Sequence, residues 1–307
     1  MRTLVYGAGA VGGYFGARLL EAGADVTFLA RGAQLKALRR DGVRVQSVDG
    51  DFAAPVRAVE HLADAPPPDL VLLAVKAHDT PAAARDLAAH LPPRAVVVSM
   101  QNGVENPILL ADALGPERVV AATVFIGARV TAPGVIAHTA AGAVRAGRYP
   151  EGSSATVRRV AAFLADHGIR VTESSRIRRD LWRKLLWNVG FNGPSALTRA
   201  TVGRMTARPG IVWLIRGLAD EAAAVAGAAG VDLPPDVAAR TCAETQGLDD
   251  FRTSMLQDVE AGRPVEREPF YGFLVREGER LGVATPLARL VNDALGLLFD
   301  PEDAAPR

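Results

Sequence analysis

One cysteine, Cys242, stands in 307 residues. A single thiol excludes any intramolecular disulfide and suits a reducing cytosol. Histidine is sparse as well: His61, His78, His90, His138 and His167 are scattered without ligand spacing, so no metal site is expected. Net charge is almost absent, with 35 Lys and Arg against 34 Asp and Glu. Attraction to nucleic acid or to a membrane surface needs a concentrated basic field, which this balance does not supply. Long apolar runs are missing too. Val119–Ile126 falls far short of the ~18 residues that a membrane helix needs. Met1-Arg2 and the apolar residues after it faintly resemble an export signal, but Gly7, Gly9, Gly12 and Gly13 break the run. The expectation is a cytoplasmic protein acting on a small molecule.

What is present is 49% hydrophobic residues, which argues against wholesale disorder, in a chain long enough for about two domains. Strand-like runs at Thr3–Tyr6, Asp25–Leu29, Leu70–Val75, Ala95–Ser99 and Val119–Ile126 alternate with helical segments at Val11–Glu21, Thr80–His90 and Glu105–Leu114. That alternation predicts right-handed crossovers and a doubly wound, mostly parallel α/β sheet. Val135–His138 and Ala143–Arg148, separated by small residues, read as a hairpin at the edge of this domain. A helix over Thr156–Asp166 and a last strand over Ile169–Thr172 complete it. Beyond Ser174 the pattern is helical only: Asp180–Leu197, Ile211–Ala229, Pro234–Thr245, Thr253–Glu260, Phe270–Leu281 and Pro286–Leu298. Thr285 is expected to cap the last of these, with Pro286 at its first position. The predicted domains are 1–172 and an all-helical 173–307, the final Asp300–Arg307 forming a frayed tail.

Gly7-Ala8-Gly9-Ala10-Val11-Gly12 fits G-x-G-x-x-G directly after a strand and at the opening of a helix, the context in which that pattern predicts a dinucleotide site. Gly7 permits the tight turn, Gly9 lets backbone approach a pyrophosphate, and Gly12 lets helix and strand pack closely. The second strand ends at Arg31, where an NAD enzyme would usually place Asp or Glu for the ribose hydroxyls. A guanidinium there pairs with a 2′-phosphate, so the cofactor expected is NADP. Two more loops leave strand carboxyl ends. Lys76 lies on one and could face cofactor or substrate; Asn102, on the other, could bond the nicotinamide ribose or the substrate.

In the helical half, Lys184, Asn188 and Asn192 recur every four positions and so share one helix stripe. Their neighbours Trp182, Leu185, Leu186, Trp187, Val189 and Phe191 belong to a buried helix. An ammonium and two carboxamides in that setting need polar partners, which a bound small molecule or neighbouring helices could supply. Hydride delivery to a carbonyl builds charge on oxygen. Lys184, with its pKa lowered by desolvation, is the candidate acid. Further on, Ser254 could hold a carboxylate, and Glu266 could accept a hydroxyl proton and orient Lys184.

Taken together, these residues resemble the ketopantoate reductase (2-dehydropantoate 2-reductase) family of the 6-phosphogluconate-dehydrogenase-like group. The resemblance rests on Gly7–Gly12, Lys76, Gln101-Asn102-Gly103, Trp182–Asn192, Ser254–Glu266 and Gly282–Pro286, and spans nearly the whole chain. It implies an N-terminal Rossmann domain, a helical C-terminal domain, an active site in the cleft between them, and a place in pantothenate biosynthesis. The general acid of the family falls on Lys184, its substrate-binding asparagines on Asn188 and Asn192, its carboxylate-binding serine on Ser254 and its glutamate on Glu266. Lys76 and Asn102 match positions near cofactor and substrate, and Arg31 the NADP-binding arginine. After that glutamate the family usually continues with an aliphatic residue, Asp, an aromatic or variable residue, an aliphatic one and Asn-Gly. Here the run is Arg267-Glu268-Pro269-Phe270-Tyr271-Gly272, with Tyr271 in the usual Asn place. The expected partners are a 2-oxo acid and a second copy of the chain in a homodimer. Two rivals stay open: a reductase of another 2-oxo acid or an imine, and a sensor that binds NADPH without turnover.

Overall fold

A computed structural model describes residues 1–243, 245 and 247–300, apart from the Cys242 side chain; the expected tail beyond Asp300 lies outside the described residues. The chain divides into two compact units, Met1–Arg178 and Arg179–Arg307.

The first unit is built on one ten-stranded sheet. Its centre is β1 (Thr3–Tyr6), flanked in parallel by β2 (Val26–Leu29) and β6 (Leu70–Leu73). Every residue of these strands is buried, the near-continuous apolar pattern of strands covered on both faces. Outward from β6 follow β7 (Val96–Ser99) and β8 (Val119–Ala132), both parallel, and β5 (Arg57–Val59) extends the other side from β2. Side chains alternate between two cores. Val5, Phe28 and Leu72 pack on one side with α1 (Ala10–Glu21), α2 (Gly32–Asp41) and α5 (Ala155–Asp166). Leu4, Tyr6 and Leu73 pack on the other with α3 (Thr80–His90) and α4 (Asn106–Leu114). Helices on both faces make the sheet doubly wound, and the chain reverses direction across it between β1 and β6.

The expected hairpin is corrected. Val135–His138 and Ala143–Arg148 are two halves of one strand, β9 (Val135–Arg148), which runs antiparallel to β8. The small residues between them are no turn. Ala141 and Gly142 take positive φ of 66° and 91° and form an irregularity inside the strand. The two halves also have different neighbours: β3 (Val43–Ser47) pairs with the first and β10 (Arg170–Ser174) with the second. The hairpin turn lies earlier, at Gly134, and short β4 (Phe52–Ala54) closes the edge beside β3.

The described part of the second unit is helical: α6 (Ile177–Thr198, whose first two residues belong to the first unit), α7 (Val202–Thr206), α8 (Pro209–Ala228), α9 (Val237–Ala243), α10 (Ser254–Glu260), α11 (Phe273–Leu281) and α12 (Pro286–Phe299). Pro286 opens α12 as expected, but Thr285 makes no side-chain cap bond. The carboxylate of Glu221 on α8 replaces it, accepting from Leu287 N–H at 2.8 Å and Ala288 N–H at 2.9 Å. A carboxylate with two oxygens satisfies two of the free N–H groups at once and meets the positive helix end. No helix among the described residues is long and apolar enough to cross a membrane.

Candidate active-site residues

The glycine turn follows directly from β1. Gly7 has a φ of 101°. A Cβ on it would lie 2.8 Å from the Val75 nitrogen, so the loop after β6 presses on this turn. Gly12 is tighter: its Cβ would fall 2.2 Å from the Gly7 carbonyl oxygen. Gly9 is the opposite case, with no atom within 4 Å of where its Cβ would be. Packed outer glycines and an open middle one fit a pyrophosphate laid against the backbone. The first N–H groups of α1, beginning at Ala10 and Val11, have no intrahelical acceptor, and its first turn carries no acidic side chain to compete with an anion. Gln34 braces the turn, a role the sequence reading missed. Its Nε2 donates to Ala8 O at 2.7 Å, and its Oε1 accepts from Gly134 N–H at 2.9 Å. Arg31 follows β2 at the N-cap of α2, its side chain 67% exposed and 3.6 Å from the Asp79 carboxylate. An exposed guanidinium at that strand end fits a 2′-phosphate.

Lys76 and Asn102 leave β6 and β7, whose carboxyl ends are neighbours. A buried chain of hydrogen bonds ties their loops together. Gln101 Nε2 donates to Val75 O at 3.1 Å and to Thr80 Oγ1 at 2.6 Å. Thr80 Oγ1 donates to Asn106 Oδ1 at 2.8 Å, and Asn106 Nδ2 donates to Asn102 O at 2.6 Å. Thr80 was read only as the start of one helix and Asn106 only as part of the helix Glu105–Leu114. Each is instead a rung holding the two loops at a fixed distance.

In the second unit, Trp182, Leu185, Leu186, Val189 and Phe191 of α6 are buried. The stripe of Asn188 and Asn192 is buried with them, at 6% and 1% exposure. Among the described residues, Asn188 Nδ2 and both amide atoms of Asn192 have no hydrogen-bond partner. A buried amide with nothing to bond costs about 1–3 kcal/mol, so two on one stripe mark a place where a polar ligand fits. Burial lowers the Lys184 pKa from 10.5 to about 8, against the opposing pull of the Glu266 carboxylate. The structure thus brings Lys184, Asn188 and Asn192 onto one stripe, with Glu266 in electrostatic reach. Ser254 opens α10 with its side chain exposed; Thr253 before it caps that helix by accepting from Leu256 N–H at 3.2 Å. Arg267, the first departure from the family pattern, turns to α12. It donates to Asp300 through Nε and Nη2 and to Asn292 Oδ1 at 3.0 Å through Nη1.

A doubly wound sheet with a glycine turn of the right shape for a phosphate, followed by a helical unit that carries a partly buried lysine and two amides with unpartnered atoms among the described residues, fits an oxidoreductase of the dinucleotide-dependent class. The particular family follows from comparison with known proteins. The family model for ketopantoate reductase PanE/ApbA matches residues 3–151, and that for its C-terminal part matches residues 176–298. The chain belongs to the ketopantoate reductase family. A 2-dehydropantoate 2-reductase of Mesorhizobium japonicum is 33% identical over 93% of this chain and 94% of its own. The crystal structure of a PanE/ApbA family ketopantoate reductase from Ralstonia eutropha JMP134 superposes with a TM-score of 0.90 at 33% identity, covering 98% of this chain and 99% of that one. A D-mandelate dehydrogenase, 21% identical over 96% of this chain and 97% of its own, shares the fold with a TM-score of 0.90.

Proposed function

We propose that the protein reduces a small 2-oxo acid to its 2-hydroxy acid with NADPH, and that the acid is 2-dehydropantoate, yielding (R)-pantoate. The observation that carries this reading is the α6 stripe: amide atoms buried without partners among the described residues, on one stripe with an ammonium whose pKa is lowered to about 8. The relatives named 2-dehydropantoate 2-reductase support the choice of substrate.

NADPH, when bound, supplies the hydride that reduces the carbonyl carbon. Gly7–Gly12 hold its pyrophosphate and Arg31 its 2′-phosphate. Lys184 gives its proton to the carbonyl oxygen as negative charge gathers there, and a pKa near working pH suits a group that must both hold and release that proton. Glu266 orients the ammonium and keeps it charged. Asn188 and Asn192 offer donors and acceptors to the substrate oxygens, and Ser254 its hydroxyl to the carboxylate. Lys76 and Asn102 serve the nicotinamide ribose or the substrate.

NADPH oxidation measured with ketopantoate and a panel of other 2-oxo acids and imines tests the proposal. A kcat/KM highest for ketopantoate is expected. A much higher value for another compound favours the second reading, which the run Arg267–Tyr271 motivates. Tight NADPH binding with no turnover of any compound overturns both and leaves a sensor. The working form is taken to be a homodimer, a reading supported by the exposed Trp213, Leu290, Leu297 and Leu298 on α8 and α12. Sedimentation velocity showing only monomer at assay concentration would refute that part.

A further inference from the structure

Tyr271 stands where the family usually has Asn, and its ring is wholly buried. Its hydroxyl donates to Val189 O at 2.6 Å and accepts from Gly193 N–H at 2.7 Å. Val189 and Gly193 are four residues apart, the pair that a regular α-helix joins directly. Here a phenol from another segment bridges them. The next rung is missing, because Pro194 inside α6 has no N–H to give to Gly190 O. The bridge therefore sits where the ladder of α6 has least of its own to hold it. Space is made for it: a Cβ on Gly193 would lie 2.4 Å from the Tyr271 hydroxyl and 2.5 Å from Val291 Cγ1.

The bridged residues directly follow Asn188 and Asn192 in sequence. Whatever fixes the rise and rotation between Val189 and Gly193 also fixes the offset between the two amides. Tyr271 reaches α6 from a wide π turn, Glu268–Gly272, in which Gly272 N–H points back to Arg267 O at 3.4 Å. That turn is pinned to α12 through Arg267 and begins two residues after Glu266. One segment thus carries both the carboxylate that acts on Lys184 and the hydroxyl that bridges the amide stripe.

We infer that Tyr271 is a positioning residue for substrate: its hydroxyl, bridging Val189 and Gly193, sets the spacing of Asn188 and Asn192 and with it the fit of the 2-oxo acid. The inference rests on the reading of those asparagines as substrate contacts. Tyr271→Phe removes the oxygen and keeps the ring. Amides that hold the substrate alike in ground and transition states show in KM, so KM for ketopantoate should rise about tenfold while kcat changes less than about threefold and KM for NADPH stays put. Tyr271→Gln, which can still give and accept a hydrogen bond, should keep KM for ketopantoate within about threefold of wild type. An unchanged KM in Tyr271→Phe, whatever its melting temperature, overturns the inference, as does an equal rise in both variants. Should Tyr271→Phe not fold, Tyr271→Gln decides alone: a KM near wild type supports the bridge and a tenfold rise overturns it. If the wild type reduces no 2-oxo acid, the functional proposal fails by itself. The side-chain amide NMR signals of Asn188 and Asn192 in ligand-free protein then decide, moving in a Tyr271 variant if the hydroxyl positions them and staying if it does not.

Discussion

The two units treat buried polar groups in opposite ways. Around the loops after β6 and β7, Gln101, Thr80 and Asn106 are satisfied by one another and by backbone, and the outcome is rigidity. On α6, Asn188 and Asn192 are buried as deeply, yet amide atoms of both lack protein partners among the described residues. The first unit has an exception in Thr123, whose hydroxyl on β8 is also buried and unpartnered. A closed network gains stability from each bond it makes. An open stripe gives that stability up and keeps its hydrogen-bonding capacity for a ligand. On the proposed function, the contrast separates a scaffold that would present a cofactor from a surface that would grip what is reduced.

Lys184→Ala should break the comparison most severely. Removing a positioned proton donor costs about 10²–10⁴-fold in kcat, while NADPH affinity, which depends on the first unit, should not move. Steady-state turnover with ketopantoate, alongside fluorescence titration of NADPH, measures both; equal turnover in variant and wild type excludes Lys184 as the acid. A matched pair of substitutions tests the sign of the contrast. Thr80→Val keeps shape but strands a donor of Gln101 and an acceptor of Asn106, and should destabilise the protein by about 1–3 kcal/mol. Asn192→Leu, with the same branching and heavy-atom count though a larger volume, deletes two unpartnered atoms and should stabilise it by about 1 kcal/mol while abolishing productive substrate binding. Urea unfolding curves on the two variants settle the signs, and a destabilised Asn192→Leu would mean that the amide is already satisfied in the free protein.

Much of this was legible in the sequence wherever the cause is local. Strands buried on both faces read as short apolar runs ended by glycine, and a four-residue recurrence of polar side chains reads as a helix stripe whatever surrounds it. What stayed hidden depends on distant partners. The cap of α12 comes from Glu221, 66 residues before Leu287, so Thr285 looked sufficient. The irregularity at Ala141-Gly142 lies inside a strand that three others bracket, and small residues alone could not tell it from a turn. Tyr271 showed only as a departure from a pattern; its bond to Val189, 82 positions away, gives it a task. One signal was present and unused. Lys36, Lys76 and Lys184 are the only lysines among 35 basic residues. Where arginine has taken nearly every basic position, a retained lysine singles out a place worth testing, and Lys36, exposed on α2, shows that the signal picks candidates and not roles.

Arg31 sharpens the comparison from the cofactor side. Its guanidinium is largely exposed and lies 3.6 Å from the carboxylate of Asp79, so water would screen the proposed hold on a 2′-phosphate. Arg31→Ala should raise KM for NADPH about five- to tenfold and leave KM for NADH unchanged. A parallel change in both, read from initial rates with each nucleotide, would deny the 2′-phosphate contact.

The smallest expected effect lies in the pH dependence of the second unit. With Lys184 as the proposed acid the reactive form is the ammonium, so kcat/KM for reduction should be level at lower pH and fall as pH rises through about 8. Burial drives that pKa down, and Glu266 is the influence that raises it. Glu266→Gln removes the opposing charge and leaves the burial, so the alkaline limb should shift below 8 whatever happens to the maximal rate. The limb of kcat/KM reports the free enzyme, the state in which these two groups face each other without substrate. A limb that stays in place or moves upward would show that the carboxylate does not set the charge on the amine, and that Glu266 acts on the substrate alone.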